Sequence, residues 1–298
     1  MYSRIFLTGG TSYIGGTILD TLITKCHEYD ITVLLRNIVK GDYDSFDIIS
    51  EAASQANVVV HNGNSDHEGS IKALIASLLR RSSPSFLVHL GGTKIIADWR
   101  DPTCIGKLNP KVWSDVSDIE AINSLPDNAL HRNVDKIIQA AAAAHGDRLN
   151  PAIVCPPDIY GSGWGLGRTQ SIYMPEFLNE IKVGAPFYVV EGTNTRSWVH
   201  TEDLMTEASQ LDIAKAAGKI LKKHGLIQQE ELKQVSIDQV DTMIKSRHYP
   251  SIGRHMFAAN SRSKAERAPK LLGYEPKAPS IWETMEADLL AGNASKAM

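Results

Sequence analysis

The stretch Ile5-Phe6-Leu7-Thr8-Gly9-Gly10-Thr11-Ser12-Tyr13-Ile14-Gly15-Gly16 decides the fold. It joins an apolar strand to a glycine-rich turn, and apolar residues at helical spacing begin directly after it. Glycine at the first turn position lets the backbone reverse at positive φ, and Gly15 lets the helix pack close to the strand. The helix N-terminus then directs N–H groups and partial positive charge at a pyrophosphate. The sequence therefore predicts a dinucleotide-binding turn made of Gly9, Thr11, Ser12, Tyr13, Ile14 and Gly15.

Two readings of this turn stay open. A glycine-rich turn between a strand and a helix also occurs without any ligand. In addition, Ser12 stands at the middle position of the spacing G-x-x-G-x-x-G, where the backbone approaches phosphate most closely. A side chain at that position either lowers the affinity for the dinucleotide or contributes a hydrogen bond from its hydroxyl.

Composition excludes several classes of protein. A chain of 298 residues with 43% hydrophobic residues and a net charge of −3 suits one large α/β domain, or such a domain with a smaller lobe, and gives no footprint for nucleic acid. No apolar run reaches the roughly 18 to 20 residues of a membrane span, and we expect no signal peptide at the N-terminus. The three cysteines, Cys26, Cys104 and Cys155, lack metal-ligand spacing. We expect a cytoplasmic protein without a metal or membrane partner.

The end of the second strand indicates the cofactor. Residues 31–35 form a continuous apolar run that ends at Arg36. In this context a carboxylate at the strand tip binds the ribose 2′-hydroxyl of NAD, whereas an arginine pairs with the 2′-phosphate of NADP. Neither Leu34 nor Leu35 is acidic, so the sequence favours NADP, with NAD as the alternative. A solvated loop position for Arg36 is the other interpretation.

Strands and helices alternate up to residue 90. We predict a helix over 47–56, a buried strand over 57–61, a helix over 70–81 and a strand over 84–90. The pattern is typical of a Rossmann-like, doubly wound parallel sheet. Asn62 follows a strand tip at the edge where the cofactor binds and is a candidate contact. From Arg36 to residue 44 the chain is too short for a crossover with its helix, so either this helix is missing or Val39 and its neighbours form a stunted third strand.

The second half of the chain is less regular. A loop-rich segment over 91–128 precedes a long helix over 130–145, a strand over 150–155 and a short strand over 187–190, and the stretch over 195–204 leads into helical sequence. Beyond residue 205 the pattern is mostly helical. We therefore predict an NAD(P)-binding domain over 1–165 and a small, mostly helical substrate-side lobe over 166–298, interleaved with the core.

These motifs resemble those of the extended or atypical short-chain dehydrogenases/reductases, and in particular the fungal NAD(P)-binding, NAD-dependent epimerase/dehydratase-like proteins. The resemblance rests on TGGTSYIGG, GDYD, VCPPDIYGSG, WVHTEDL and KLLGYEPKAPS, in that order along the chain. It implies that Asp42 and Tyr43 flank the adenine and that Pro156, Asp158 and Tyr160 lie beside the nicotinamide. It also implies that His200 and Asp203 close the substrate lobe, and that the long helix forms a homodimer.

Only one residue of the family's catalytic pair is present in this chain. The family uses Tyr-x-x-x-Lys on the long helix, where the lysine lowers the tyrosine pKa and holds the ribose. Here Lys136 matches the lysine, but Arg132 stands in place of the tyrosine and stays charged, so it is no proton donor. His131 is the nearest group that exchanges protons, although it lies about 100° round a helix from the expected position. Thr93 is the nearest hydroxyl to the family's serine position.

The leading hypothesis is an NADP-binding oxidoreductase that acts on a small-molecule carbonyl or imine-like substrate. In it, Lys136 orients the ribose, and a proton comes from His131, Thr93 or a water molecule. Two alternatives remain. Loss of the tyrosine is compatible with a non-catalytic NAD(P) sensor, and the family resemblance includes sugar-nucleotide epimerases and dehydratases, which hold NAD tightly.

Overall fold

The computed structural model describes residues 3–34, 41–182, 185–202, 205–244 and 251–294. Arg36 and Asp203, which the sequence analysis singled out, lie outside these ranges. The strands are β1 (Ser3–Thr8), β2 (Tyr29–Leu34), β3 (Val58–His61), β4 (Ser85–Leu90), β5 (Trp113–Ser114), β6 (Leu149–Val154), β7 (Asp158–Tyr160), β8 (Phe187–Val189), β9 (Thr195–His200), β10 (Met205–Ser209), β11 (Lys233–Val235) and β12 (Ser263–Lys264).

Eleven α-helices lie within the described ranges. They are α1 (Tyr13–Lys25), α2 (Phe46–Gln55), α3 (Glu68–Leu79), α4 (Ile119–Asn123), α5 (Arg132–His145), α6 (Tyr173–Lys182), α7 (Gln210–Lys223), α8 (Ile237–Met243), α9 (Ile252–Phe257), α10 (Arg267–Leu272) and α11 (Ile281–Ala294). Within the same ranges, no helix combines the length and the apolar character that crossing a bilayer requires.

The chain divides into two compact units. The first comprises Met1–Ile95, Leu125–Pro156 and Gly163–Thr169, and the second comprises Ile96–Ser124, Pro157–Ser162 and Gln170–Met298. The two units therefore exchange segments along the sequence. The sequence-based prediction places a single boundary at residue 165, whereas the two units alternate along the chain. The roles predicted for the two parts, NAD(P) binding and substrate binding, stay predictions.

The first unit contains a five-stranded sheet with the order β2-β1-β3-β4-β6, in which every neighbouring pair is parallel. This confirms the predicted doubly wound α/β fold. Leu7 in β1 lies opposite Val33 on one side and Val60 on the other, so the strand order reverses between β1 and β3. In open α/β sheets, ligands bind at the carboxyl ends of the strands beside such a reversal.

One crossover helix, α2, connects β2 with β3 across β1. Among the described residues, no strand pairs with the outer edge of β2. The stunted strand considered for Val39 and its neighbours falls outside the described residues. If only the five strands of this sheet are counted along the chain, β6 is the fifth and the spatial order is 2-1-3-4-5. This order is one of the two common doubly wound arrangements.

An apolar core holds the helices of the first unit to the sheet. Phe6, Val59 and Leu87 on the strands are almost fully buried, as are Ile49 on α2 and Leu74 on α3. Burial of each such side chain contributes about 1.5 to 3 kcal/mol. The continuous apolar runs of the sequence are therefore explained by burial of both faces of a parallel sheet.

The second unit has short strands and an aromatic core. Strands β10, β9 and β7 form one small sheet, and β8 pairs with β11 and β5 with β12. The core packs Tyr173, Phe177, Phe187, Trp198 and Phe257 edge to face or tilted against one another. Beyond residue 205 the described part of the chain is mostly helical, as predicted, and β10, which pairs antiparallel with β9, is a strand that was not predicted.

We predict that Gly9→Ala destabilises the first unit by more than about 3 kcal/mol. Gly9 has φ +74°, and a Cβ there would overlap the backbone carbonyl of Asn62, which is held by β3. Strain at positive φ alone costs about 1 to 2 kcal/mol. Gly273→Ala is the matched control, because Gly273 has φ +61° and open space around its Cβ position. Urea unfolding followed by circular dichroism measures both, and equal losses would contradict the role of the overlap.

Candidate functional site

The glycine turn ends in a capped helix. Gly9 reverses the chain at φ +74°, and the Ser12 N–H donates to the Gly9 carbonyl at 2.8 Å. Ser12 has φ −77° and ψ 167°, and its Oγ accepts a hydrogen bond from the Gly15 N–H at 3.0 Å. Ser12 therefore needs no glycine conformation and serves as the N-cap of α1. The hydroxyl satisfies one of the helix N–H groups that would otherwise point at a ligand.

Asn62 lies against this turn with an unpaired carboxamide. Its Nδ2 and Oδ1 are buried and have no hydrogen-bond partner among the described residues, whereas its backbone N–H donates to Thr8 Oγ1 at 3.3 Å. A Cβ at Gly15 would overlap both the Gly9 carbonyl and the Asn62 carboxamide. An orphaned buried amide is costly, so it marks a place for a polar ligand group. The turn and Asn62 together fit a dinucleotide.

The GDYD segment reaches the same edge of the sheet. The Tyr43 ring lies 5.9 Å from the His67 ring and 6.2 Å from the His61 ring, and a Cβ at Gly63 would overlap Tyr43. Asp42 accepts hydrogen bonds from the Asp44 N–H and the Ser45 hydroxyl, which hold the pKa of its carboxyl below the usual value. The structure thus brings Tyr43 against Gly63, the residue after Asn62. The predicted contact of Asp42 and Tyr43 with adenine remains untested.

A glycine-rich segment packs on the first turn of α1. The Trp164 N–H donates to Thr17 Oγ1 at 3.1 Å, and the Arg168 N–H donates to the Thr11 carbonyl at 3.2 Å. Cβ atoms at Gly165 and Gly167 would overlap Gly16 and Thr11. No sequence motif predicted this contact. The alternate glycines at 163, 165 and 167 were the available signal, since such a pattern permits close approach of two backbones.

Two buried histidines face each other across β3 and β4. His61 and His89 are 1% and 0% exposed, their rings stack at 5.1 Å, and their Nδ1 atoms are 2.9 Å apart. One ring therefore donates to the other, which requires at least one neutral imidazole. Burial lowers the pKa of His61 to about 3 and that of His89 to about 4, with a smaller contribution from neighbouring positive charge. Both histidines are neutral at physiological pH.

His131 lies just before α5 and is held by an acidic side chain. It has φ +66°, in the left-handed region, and forms the N-cap of the helix. Its Nδ1 is 2.8 Å from Asp66 Oδ1 and 3.1 Å from Ser65 Oγ. Its Nε2 faces the other way and lies 3.4 Å from the position that a Cβ on Gly92 would occupy. Asp66 was missed by sequence analysis because it is 65 residues away in a loop without a motif.

Asp135, not Lys136, shares the buried side of α5 with His131. Asp135 is 4% exposed, and its Oδ1 lies 3.8 Å from the Cβ position of Gly91, where Cys155 Sγ lies at 3.5 Å. Burial raises the pKa of Asp135 to about 6, against the opposing effects of His131 and Arg132. Burial also raises the pKa of the Cys155 thiol to about 12, so this thiol is inert at neutral pH.

Lys136 points to the surface. Its Nζ lies 2.7 Å from Asp127 Oδ1, and the two side chains are 48% and 79% exposed. Arg132 is buried and donates to the Leu125 carbonyl and to Gln139 Oε1. The arrangement gives no support to a ribose contact by Lys136, which stays a prediction.

The remaining predicted residues are held by local hydrogen bonds. The Thr93 N–H donates to the Pro156 carbonyl at 3.0 Å. Thr93 follows Gly92, the residue that His131 Nε2 faces. In the second unit, Asp158 accepts from Arg196 at 2.6 Å, and the buried Tyr160 donates its hydroxyl to the Pro279 carbonyl. Contact of Pro156, Asp158 or Tyr160 with a nicotinamide stays a prediction. Among the described residues, no three acidic, histidine or cysteine side chains form a metal-binding group.

Comparisons with known proteins agree with this architecture. Residues 129–211 match the family model described as NAD dependent epimerase/dehydratase family. The protein named oxidase ucsJ from Acremonium sp is 31% identical over 193 residues, a match that spans 58% of this chain and 56% of that protein. The resemblance to the extended short-chain dehydrogenases/reductases is confirmed. An uncharacterized protein from Schizosaccharomyces pombe is 24% identical over 214 residues, or 67% of each chain.

Solved structures of extended short-chain dehydrogenase/reductase type share the fold. A dTDP-glucose 4,6-dehydratase from Bacillus anthracis in complex with NAD has a TM-score of 0.67 at 13% identity and covers 99% of this chain and 98% of its own. RMD from Pseudomonas aeruginosa complexed with NADPH has a TM-score of 0.59 at 12% identity and covers 99% of both chains. The neighbours thus hold either nicotinamide cofactor.

We predict that acid destabilises the protein through the histidine pair. The unfolded chain binds protons on both imidazoles below pH 6.5, whereas the folded chain binds them only near pH 3 to 4, so the free energy of unfolding falls as pH decreases through 6.5. At pH 5 each histidine accounts for a loss of about 2 kcal/mol. His89→Asn is expected to reduce the loss between pH 7.5 and pH 5 by about this amount, as measured by urea unfolding at both pH values.

The exposed His27 offers the control for this prediction. His27→Asn is expected to leave the difference between the two pH values unchanged. The raised pKa of Asp135 acts in the opposite sense, because the folded state then holds a proton that the unfolded state has lost. That contribution is common to the wild type and both variants and cancels in the comparison. An equal acid sensitivity of wild type and His89→Asn would show that the pair does not govern it.

Proposed function

We propose that the chain is an NAD(P)-dependent oxidoreductase that prefers NADP and acts on a small-molecule carbonyl or imine-like substrate, with His131 as its proton-exchanging residue. The contact between His131 and Asp66 beside Gly92 is the observation that carries this proposal. The match of residues 129–211 to an NAD-dependent family and the name of the Acremonium relative, an oxidase, support it.

The glycine turn and its neighbours would hold the dinucleotide. Gly9 and residues 11–15 surround the pyrophosphate position, and the Asn62 carboxamide supplies an unpaired polar group there. The preference for NADP rests on Arg36 alone, by its place in the sequence after β2. When bound, a nicotinamide supplies or accepts the hydride, and no protein side chain replaces that chemistry.

Asp66 prepares His131 for proton exchange. A carboxylate 2.8 Å from Nδ1 keeps the proton of the neutral imidazole on Nδ1, which leaves Nε2 as the base that faces Gly92. The same carboxylate stabilises the imidazolium when Nε2 takes up a proton. The histidine is only 13% exposed at its side chain, so the exchange is directed to a bound molecule more than to bulk water. The pair therefore performs the function of the missing tyrosine.

A binding protein without turnover is the second candidate. The surface ion pair of Lys136 with Asp127 favours it, because the lysine that assists catalysis in this family is turned away from the site. Sugar-nucleotide epimerisation, by contrast, is supported only by fold-level likeness and by the family model.

We predict that His131→Ala lowers kcat by about 100-fold or more without changing the Kd for NADPH. General acid–base groups contribute about 100- to 10,000-fold, and His131 exchanges the proton without holding the dinucleotide. The first measurement is a titration with NADPH and NADH followed by nicotinamide fluorescence. Consumption of NADPH with a panel of ketones and cyclic imines then gives kcat.

Two further variants complete the experiment. Asp66→Asn is expected to lower kcat because an amide that donates to Nδ1 favours the wrong tautomer. Asp127→Asn, which removes an exposed carboxylate, is expected to change neither kcat nor Kd. Failure of the wild type to bind either dinucleotide would overturn the proposal. Tight binding with no turnover on any substrate would favour the sensor.

A further inference from the structure

We propose that the substrate of this site is a protonated imine, and that the Asp135 carboxylate accepts a hydrogen bond from its N–H group. The inference rests on the proposed function and specifies the substrate class. It follows from the two carboxylates near His131, Asp66 and Asp135, while Lys136 lies at the surface.

Asp135 is a buried carboxylate with an unused acceptor. Its residue exposure is 4%, and its Oδ1 accepts no hydrogen bond from any residue that the structure describes. The Cβ position of Gly91 lies 3.8 Å from this oxygen and 3.5 Å from the Cys155 Sγ, whose thiol is only a weak donor. An unpaired buried acceptor costs about 1 to 3 kcal/mol, and more when it is charged. A ligand with an N–H group would remove this cost.

The charges around Asp135 favour a cationic ligand. Asp66 is the second carboxylate of the group, and the Cys155 thiol stays neutral because burial raises its pKa to about 12. His131 already donates to Asp66. Arg132 carries the compensating positive charge, but its guanidinium donates to the Leu125 carbonyl and to Gln139. With a pKa of about 6, Asp135 is ionised at pH 7.5 and would gain from an adjacent cation.

Reduction of a protonated imine also removes the need for the missing tyrosine. A ketone must receive a hydride at carbon and a proton at oxygen. The carbon of a protonated imine accepts a hydride from a reduced nicotinamide, a C–H bond forms, and the π electrons of the C=N bond become the lone pair of a neutral amine. The imine is reduced, the nicotinamide is oxidised, and no proton moves in that step. His131 Nε2 can protonate the imine beforehand.

Two matched pairs of small molecules test the inference. Pyrrolidine, a cation at neutral pH that cannot accept a hydride, is compared with tetrahydrofuran by calorimetry on the protein without dinucleotide. Pyrroline is compared with cyclopentanone in NADPH consumption. We expect pyrrolidine to bind and tetrahydrofuran not to bind. We also expect kcat/KM for the imine to exceed that for the ketone by about tenfold or more, as one charged hydrogen bond provides.

The variants separate Asp135 from general effects of charge. Asp135→Asn is expected to weaken pyrrolidine binding by about tenfold while the Kd for NADPH is unchanged. Asp127→Asn should leave both constants within about twofold, since an exposed ion pair contributes little. Absence of pyrrolidine binding to the wild type, or equal reduction of ketone and imine, would overturn the inference. The comparisons of pyrrolidine with tetrahydrofuran and of pyrroline with cyclopentanone use the wild type, so they do not depend on the folding of a variant.

Failure of this inference is distinguishable from failure of the proposed function. A protein that binds NADPH and reduces ketones as well as imines retains the proposed oxidoreductase activity and loses only the substrate class. A protein that binds neither NADPH nor NADH loses both.

Discussion

The first unit depends on the contact between Gly9 and the backbone carbonyl of Asn62. This contact joins the ends of β1 and β3 at the position where the strand order reverses. β1 lies between β2 and β3, and the glycine turn that follows it leads directly into the capped N-terminus of α1. A side chain at Gly9 would separate the two strands. The same closeness that fixes the sheet therefore places the Asn62 carboxamide beside the helix N-terminus, where a dinucleotide can use both.

The buried parallel strands were predicted well because a strand that is buried on both faces has a continuous apolar sequence. The apolar runs at 31–35 and 57–61 correspond to β2 and β3 within about two residues, and the long helix differs from α5 only at its first residues. β10 was missed because Met-Thr-Glu-Ala-Ser carries little apolar signal and owes its extended form to pairing with β9. Pairing of that kind is set by contacts distant in sequence, as are the two-residue strands β5 and β12.

The site was less predictable than the fold for a geometric reason. Spacing along a regular helix assigns Lys136 to the buried position and turns His131 away by about 100°. His131, however, precedes the helix and has φ +66°, so helical periodicity does not give the direction of its side chain. The buried pair is His131 and Asp135, and Asp66 comes from the loop before α3. Neither the left-handed N-cap nor a partner 65 residues away is marked by a motif.

The changes at α5 form one electrostatic pattern. In the short-chain dehydrogenases/reductases that the motifs resemble, a tyrosine and a lysine act on a carbonyl oxygen that gains negative charge, whereas here two carboxylates lie near a histidine. Carboxylates oppose an oxyanion and favour positive charge on nitrogen. Asp135 would therefore raise the pKa of a bound imine and keep it in the form that accepts a hydride. In the opposite direction the same carboxylate would stabilise the cation that develops as an amine loses hydride. A buried aspartate near His131 would thus favour nitrogen over oxygen in both directions of the proposed reaction.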